Sequence, residues 1–382
     1  MKVSTEDFCN LVLECNFDSH KVHKLQLERY PDLAFSAPTR VEHRIANLRR
    51  RGLLPLDSGN SVSVGEILKG SSTLYDATGG VKQQWVKTDV PKQQALEAFT
   101  EAIDGLTSSL PAIAPSAPPK APTDADKLMC VYTIGDAHIG MYAYAAEAGE
   151  DYNLDIAEDR HTRAMELLVS QAPEATEAFI VDVGDYLHVD NYLNRTTASG
   201  APLDAAARYP QILELSLLLT SKLINLALTK HQVVHWRSAI GNHNDVSSIM
   251  MNQFVKAYYR NEPRVIVHDE PSMFMYHQFG KNLIGITHGH TVKPDKLGEI
   301  MAVDKADLWS DTKFRYWYCG HLHHLSVKEY PSCVVETFRT LASKDAWHSA
   351  SGYRSGQDMK CITLHADYGE IARNTVNVAR LH

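Results

Sequence analysis

The larger, C-terminal part of the chain alternates short apolar runs with helical stretches, and this alternation constrains the fold more than any other feature. The runs are rich in Val, Ile and aromatic residues and lie at 128–134, 178–183, 233–240, 264–268, 282–287, 316–319 and 333–338. Helical periodicity is found between them, at 156–171, 210–228 and 247–259. Apolar strands that alternate with helices indicate an α/β layered domain with buried strands.

Five of these runs end in residues that bind metal ions. They end in Gly135-Asp136-Ala137-His138, Gly184-Asp185, Gly241-Asn242-His243, His288-Gly289-His290 and Gly320-His321-Leu322-His323. Ligand sites in α/β sheets gather beyond the carboxyl ends of strands, so these endings can converge. Residues two apart on an extended segment face the same side, which lets each D-x-H or H-x-H pair hold one ion. Carboxylate, imidazole and amide donors together favour Mn²⁺, Fe²⁺ or Zn²⁺ over Mg²⁺.

The ordered pattern D-x-H, G-D, G-N-H, H and G-H-x-H resembles that of the calcineurin-like metallophosphoesterases over roughly 128–345. The resemblance implies a β-sandwich flanked by helices, with two divalent ions, of which Mn²⁺ is the first choice. It also implies two ligand sets: Asp136, His138, Asp185 and His323 for one ion, and Asp185 as the bridge with Asn242, His288 and His321 for the other. His243 would then be the catalytic histidine, acting on the leaving oxygen. Two ions about 3.5–4 Å apart can share a water, lower its pKa and neutralise phosphate oxygens.

Two positions near these motifs depart from the superfamily or separate its branches. The residue after His243 is usually acidic and supports that imidazole, but here it is Asn244, so we expect Asp245 to take over. The Asp-Arg-Gly signature of Ser/Thr protein phosphatases is missing after Asp185, which disfavours that class. G-D-x-x-H, ending in His188, instead resembles DNA-repair nucleases, where this histidine helps to place DNA. His188 could equally bond a backbone carbonyl near the site.

The composition divides the chain into three parts. Residues 106–127 contain five prolines among Ala, Ser and Thr, which predicts an extended linker. Before it, 1–105 shows short helices followed by a hairpin at 70–88, an order that resembles a winged helix-turn-helix. After it, 128–382 forms the metallophosphoesterase-like domain. The polar segment 190–204 predicts a loop bordering the pocket and resembles phage and prophage members of the superfamily.

The substrate is predicted from basic residues on the third helix. These are Arg40, Arg44, Arg49, Arg50 and Arg51. Such a face suits phosphates or a DNA groove, whereas the alternative is a solvated face on a protein-binding domain. We therefore expect an enzyme that acts on nucleic acid, with DNA favoured: a nuclease, or a phosphatase or phosphodiesterase of nucleic acid. The alternative is a phosphodiesterase or phosphatase that acts on a small nucleotide or signalling molecule. A regulator with a decayed site is a third class, which the complete ligand set argues against.

The net charge and the cysteine content bear on the possible partners and on the cellular compartment. The net charge of −8 means that nucleic acid would have to bind a local basic patch. The six cysteines form no CxxC pair, which predicts reduced thiols in the cytoplasm. The leucine-rich stretch 212–228 is interrupted by Glu214, Lys222 and Asn225, so we expect no membrane span. A homodimer is compatible with the sequence.

Overall fold

The chain divides into two units, Met1–Ala102 and Ile103–His382. The structure is a computed structural model that describes residues 3–15, 18–31, 38–50, 54, 67–75, 81–89, 115–119, 124–197 and 199–381.

The N-terminal unit contains three helices and a two-stranded antiparallel sheet. The helices are α1 (Thr5–Glu14), α2 (Ser19–Arg29) and α3 (Pro38–Arg50), and the strands are β1 (Ile67–Tyr75) and β2 (Val81–Asp89). Helix α1 starts after Ser4, whose side chain accepts a hydrogen bond from the Asp7 amide at 3.1 Å. Phe8, Val22 and Val41, one from each helix, are fully buried together. The helices precede the two-stranded hairpin in the expected order. The turn of the hairpin, Gly79-Gly80, lies outside the described residues. The winged-helix assignment stays a prediction.

One described piece of the predicted linker is attached to the second unit. The amide and hydroxyl of Ser116 donate to Glu262 at 2.9 and 3.0 Å, and Arg264 donates to the same hydroxyl at 2.6 Å. The first strand of the second unit begins at Leu128, where the sequence pattern ended the linker.

The second unit contains a six-stranded and a five-stranded sheet. The first has the order β13-β12-β3-β4-β5-β6 and consists of β3 (Leu128–Ile134), β4 (Glu177–Asp182), β5 (Val233–Ser238), β6 (Val265–Val267), β12 (Asp358–His365) and β13 (Gly369–Asn377). The second has the order β10-β11-β9-β8-β7 and consists of β7 (Met275–Phe279), β8 (Asn282–Ile286), β9 (Phe314–Cys319), β10 (Ser326–Glu329) and β11 (Val334–Thr337). Strands β3 to β6 are parallel to one another, as are β8, β9 and β11.

Apolar side chains from both sheets form one shared core. Val131 and Phe179 from the six-stranded sheet pack in the same cluster as Ile284 and Tyr318 from the five-stranded sheet. On the other face of the five-stranded sheet, Trp317 packs with residues of α8. The helices of this unit are α4 (Ala145–Ala148), α5 (Leu154–Gln171), α6 (Tyr209–Leu228), α7 (Ser247–Tyr258), α8 (Leu297–Asp304), α9 (Ala306–Asp311) and α10 (Ala346–Ala350). The predicted fold, an α/β sandwich of two sheets flanked by helices, is therefore confirmed.

Helix α6 carries the leucine-rich stretch. By length and composition alone, Tyr209–Leu228 could cross a membrane, even though charged residues interrupt it. However, 56% of its apolar window is buried inside the unit. That degree of burial is typical of the core helix of a folded domain.

Candidate metal centre

The loops after five strands meet at one end of the sandwich, and Asp136 lies at their junction. Asp136 follows β3, yet its carboxylate accepts hydrogen bonds from the His321 amide, beyond β9 of the other sheet, at 2.9 and 3.1 Å. The Thr340 hydroxyl donates to the Asp136 carbonyl at 2.6 Å. Asp136 is fully buried. A residue of one sheet thus holds the ligand loop of the other.

The first group of ligand atoms belongs to Asp136, His138 and His323. The Nε2 atoms of His138 and His323 lie 3.2 Å apart, and His323 Nε2 is 3.4 Å from an Asp136 oxygen. Two imidazole nitrogens that face each other need a proton or a cation between them, since both otherwise present lone pairs. This geometry fits a site for a divalent ion held by nitrogen and oxygen.

The second group consists of Asp136, Asp185 and His288, all buried, joined by Asn242. His288 Nε2 lies 3.0 Å from Asp185 and 3.1 Å from the Asn242 amide oxygen. His288 Nδ1 donates to the Val183 carbonyl at 3.0 Å, which leaves Nε2 to face the ligands. Asp136 is shared by both groups, whereas the bridging role expected of Asp185 stays a prediction.

The predicted ligand His321 lies at the solvent side of this group. Its side chain is exposed, and its ring centroid is 5.2 Å from that of His288. All seven predicted ligands are therefore brought to one place. The three nitrogens of His138, His188 and His243 form a further group within 4.8 Å, directly beside them.

Most of these ligands have a left-handed backbone conformation. Positive φ angles occur at Asp136 (36°), His138 (44°), Asp185 (54°), His321 (69°) and His323 (52°). L-residues rarely adopt this region, and it costs about 1 kcal/mol or more at each position. Such strain concentrates at functional sites, where the surrounding fold imposes it.

Two glycines leave room for the ligands. A Cβ on Gly184, whose φ is 103°, would lie 2.6 Å from His288 Nδ1. A Cβ on Gly241 would overlap the backbone nitrogen and side-chain oxygen of Asp185. Both positions need glycine because the backbone passes directly against a ligand side chain.

His243 is held by its backbone and by one ring nitrogen. Its amide donates to Asp185 at 2.8 Å, and its Nδ1 lies 2.9 Å from the His188 carbonyl. Because a carbonyl only accepts, Nδ1 carries the proton and Nε2 remains for chemistry. The prediction that Asp245 supports this imidazole is wrong, since the carbonyl of His188 occupies that place.

Asp245 contacts another carboxyl group instead. Burial, together with the side-chain contact from Asp245, raises the pKa of Asp190 to about 8. Asp190 also accepts hydrogen bonds from the amides of Val246 and Ser247, both at 2.8 Å, at the start of α7. The loop carrying His243 is thus tied to the loop carrying His188.

His188 lies inside the centre and does not face an incoming polymer. The side chain is 1% exposed, and its Nδ1 lies 3.2 Å from His138 Nδ1. Burial first, and the nearby His243 second, lower the pKa of His188 to about 3, so the ring is neutral. This burial does not favour a direct contact of the side chain with DNA. The ring Nδ1 faces His138 and not a backbone carbonyl, whereas the backbone carbonyl of His188 itself accepts from His243.

The charges of the centre are balanced between Asp185 and His288. Burial opposes the charge on both groups, but the neighbouring Asp185 raises the pKa of His288 to about 9. The pKa of Asp185 is held well below its ordinary value despite burial, because His288 lies against it. Burial and the nearby rings of His243 and His323 lower the pKa of His138 well below its usual value. Neutral imidazole and ionised carboxylate are the forms that bind metals, so an ion bound here would displace the proton of His288.

No place in the centre was predicted from the sequence for Asn244, His290 or His348. Asn244 is buried, and its amide oxygen accepts from the Asp185 backbone nitrogen at 3.2 Å. The ring of His290 lies 5.2 Å from that of His288, as the H-G-H run could have indicated. His348 stacks on His323 at 4.8 Å, and with Lys344 it lines a cleft beside that ligand. His348 comes from α10, far from any ligand motif, so no sequence signal marked it.

The predicted basic face of α3 is only partly available. Arg40 is exposed, but Arg44 lies 4.2 Å over the Phe8 ring and donates to the Val3 carbonyl at 2.7 Å. The prediction that Arg44 binds phosphate is therefore wrong, because its guanidinium ties α3 to the start of α1. The side chains of Arg49 and Arg50, and all of Arg51, lie outside the described residues.

No protein-family model matches the chain, and no curated protein matches it in sequence. The solved structures that overlap it include a dimetal phosphatase from Danio rerio, 8% identical with a TM-score of 0.38, covering 66% of this chain and 100% of that one. Vacuolar protein sorting 29 from Cryptosporidium parvum is 14% identical with a TM-score of 0.32, covering 66% and 100%. A predicted phosphoesterase from Streptococcus pneumoniae is 11% identical with a TM-score of 0.26, covering 65% and 98%. These identities and TM-scores assign no activity to this chain.

Proposed function

We propose that this chain is a hydrolase of phosphoester bonds that depends on two divalent metal ions. The observation that carries the proposal is the convergence of two groups of ligand atoms on the shared, fully buried Asp136. Buried carboxylates are costly unless they are paired or coordinate metals. Here Asp136 and Asp185 lie among imidazole nitrogens that also need a cation.

The donor set fits two ions of the Mn²⁺, Fe²⁺ or Zn²⁺ type, with Mn²⁺ as our first choice. Asp136, His138, Asp185 and His323 would hold one ion. Asp185, as the bridge, would hold the other together with Asn242, His288 and His321. When bound, two such ions supply an activated water and neutralise the charge of a phosphate group.

His243 is suited to protonate the leaving oxygen. Its Nδ1 is fixed by the His188 carbonyl, so only Nε2 is available to carry a proton to substrate. The ring centroid lies 4.8 Å from that of the predicted ligand His138, so a phosphate bound at that ion would lie within reach of His243. A general acid positioned in this way typically contributes 10²–10⁴-fold to the rate.

For the substrate we favour a phosphodiester of nucleic acid, DNA first. Two large aromatic side chains on segments that adjoin the centre are solvent-exposed. Trp347, at 64%, contacts His348, and Tyr192, at 62%, lies in the loop that follows His188 and Asp190. Exposed aromatic rings bind unpaired bases by stacking. Lys344 in the cleft beside His323 offers a cation for a neighbouring phosphate.

A small nucleotide is the second candidate. The burial of His188 and the engagement of Arg44 remove two of the sequence-based reasons for a polymer. The same exposed aromatic rings would serve the base of a free or cyclic nucleotide.

The activity is tested on the full chain with Mn²⁺. The substrates are bis(p-nitrophenyl) phosphate, single- and double-stranded DNA, RNA, and 2′,3′-cyclic nucleotides. We expect phosphodiester hydrolysis that Asp185→Asn and His243→Ala each reduce by roughly 100-fold or more. His324→Ala, an exposed neighbour of His323, is the matched control and should keep its activity. Absence of hydrolysis with every metal, or full activity in both site variants, would refute the proposal.

A separate measurement distinguishes the two substrate classes. Changing Arg40, Arg49, Arg50 and Arg51 to Ala in the full chain should weaken DNA binding and reduce its salt dependence if α3 contacts the polymer. Hydrolysis of bis(p-nitrophenyl) phosphate should not change. Unchanged DNA affinity would favour the small-nucleotide class and leave the hydrolase proposal standing.

A further inference from the structure

A second cluster of histidines lies within the sandwich, apart from the metal centre. His235 is in β5, His268 follows β6, and His277 is in β7. Each offers a ligand nitrogen, and the three nitrogens lie within 4.8 Å of one another. Among the described residues, the ring contacts of these histidines are with one another and with Phe179, and none is with a predicted ligand of the metal centre.

This histidine cluster lies between the two sheets and takes residues from both. Strand β6 is the edge of the six-stranded sheet, with β5 next to it, and β7 is an edge of the five-stranded sheet. His235 is buried at 7% exposure, and His268 and His277 are half-buried. The cluster is therefore enclosed on the side of the core and remains accessible to a small ion from solvent.

The hydrogen-bonding pattern is incomplete in a way that a cation would complete. His235 Nδ1 and His268 Nε2 lie 3.0 Å apart and point at each other. His277 Nε2 is buried and has no hydrogen-bond partner in the described part of the chain. A buried polar atom without a hydrogen-bond partner destabilises the folded state.

The surroundings resemble the support that proteins give to metal-bound histidines. The far nitrogen of His235, Nε2, lies 3.4 Å from the Glu177 carboxylate at the start of β4. Ligand histidines commonly donate their second N–H to a carboxylate, which fixes the ring and strengthens the ligand nitrogen. Burial first, and neighbouring imidazoles second, lower the pKa of His268 to about 4 and that of His277 to about 3, so both are neutral.

We propose that His235, His268 and His277 form a further metal site that binds Zn²⁺ and links the edges of the two sheets. Three imidazole nitrogens with an open fourth position are a known zinc arrangement, in which water completes the tetrahedron. The all-nitrogen donor set favours Zn²⁺ over Mn²⁺, because Zn²⁺ stands above Mn²⁺ in affinity for such ligands. This site is independent of the proposed hydrolase function.

The first test measures how many zinc ions each chain binds. The full chain is stripped with chelator, saturated with Mn²⁺, given Zn²⁺, desalted and analysed by mass spectrometry for zinc per chain. His268→Gln and His277→Gln should each bind one zinc fewer than wild type, while the exposed control His20→Gln should match wild type. Zinc should also raise the Tm of wild type by ~5 °C more than that of His277→Gln. Equal zinc content in folded wild type and both variants would overturn the proposal.

The second test needs no variant. Diethyl pyrocarbonate modifies accessible neutral imidazoles, and peptide mass spectrometry resolves each site. Zinc should protect His268 and His277 at least fivefold, whereas Mn²⁺ alone should not, and His20 should react equally in every sample. Equal modification of His268 and His277 with and without zinc would show that the cluster packs as neutral rings and binds no metal.

Discussion

The Nδ1 atoms of His138 and His188 lie 3.2 Å apart in the interior of the metal centre. One of the two must carry a hydrogen, and the geometry is best satisfied when His138 donates and the neutral His188 accepts. His138 then turns its Nε2 towards Asp136 and His323. We therefore expect His188 to position the candidate ligand His138 and not to contact substrate.

Replacing His188 should weaken metal binding without destroying the catalytic apparatus. We expect His188→Gln to raise the Mn²⁺ concentration for half-maximal activity by about 10–100-fold. Activity at saturating Mn²⁺ should largely recover, because His243 is held by the backbone carbonyl of residue 188 and not by its ring. A metal titration of bis(p-nitrophenyl) phosphate hydrolysis measures both values. An unshifted curve, or a loss that metal does not restore, would contradict this role.

Gly184 and Gly149 form a matched pair for testing how closely the backbone approaches His288. Both have a positive φ, 103° and 92°, so alanine strains the backbone similarly at either position. A Cβ meets the His288 ring only at residue 184, since nothing lies within 4 Å at residue 149. Gly184→Ala should therefore lose Mn²⁺ affinity by at least tenfold, whereas Gly149→Ala should lower Tm slightly and bind metal normally. Isothermal titration calorimetry and thermal unfolding would separate the two effects, and equal metal affinity in both variants would exclude the contact.

Asp245 should be dispensable for catalysis. Asp245→Asn is expected to keep kcat within about twofold of wild type, because His243 is oriented by a carbonyl. If Asp245 were the support for the imidazole, kcat would fall by roughly 100-fold, as for other disrupted general acids. Steady-state kinetics beside His243→Ala decide between these outcomes.

The convergence of the candidate ligands could be predicted from the sequence, whereas the support of His243 could not. The seven candidate ligands were predicted because they follow five apolar runs, and β3 was bounded correctly because Lys127 and Gly135 flank it. The carbonyl that holds His243 carries no side-chain signature and belongs to a residue 55 positions away. Asp245 was therefore assigned by local spacing alone, and the assignment failed.

The strands that were missed are the ones with polar sequences. Strand β12 contains Asp358 and Lys360, both buried, which interrupts the apolar pattern. Their ion pair at 2.5 Å offsets the cost of burial, together with the bond from Arg339 to Asp358 at 2.7 Å. Such pairing is set by tertiary contacts, which periodicity along one segment does not reveal.

Acid should destabilise the metal-free protein through buried histidines such as His161 in α5. Burial lowers the pKa of His161 to about 4 from 6.5, so the folded state stays neutral where the unfolded state binds a proton. The contribution of His161 to the free energy of unfolding is thus fully present above pH 6.5 and is lost as the pH falls towards 4. At pH 5 the loss is about 2 kcal/mol. In His161→Leu the unfolded state has no imidazole at this position to take up the proton. The free energy of unfolding of this variant should therefore fall less between pH 7 and pH 5 than that of wild type. Urea unfolding in EDTA at both pH values measures the difference, and equal losses would exclude this cause.

The sharing of ligands between the sheets links metal retention to correct assembly. Asp136 and Asp185 follow strands of one sheet, while His288, His321 and His323 follow strands of the other. A chain that has formed only one of the two sheets brings together only part of the candidate ligands. The same holds for a chain in which the strands of either sheet pair in a shifted register. Ions should therefore be captured late in folding and released early in unfolding, as reporters of completed tertiary structure. In a protein whose six cysteines are all free, such ions would provide the cross-links that disulfides provide elsewhere.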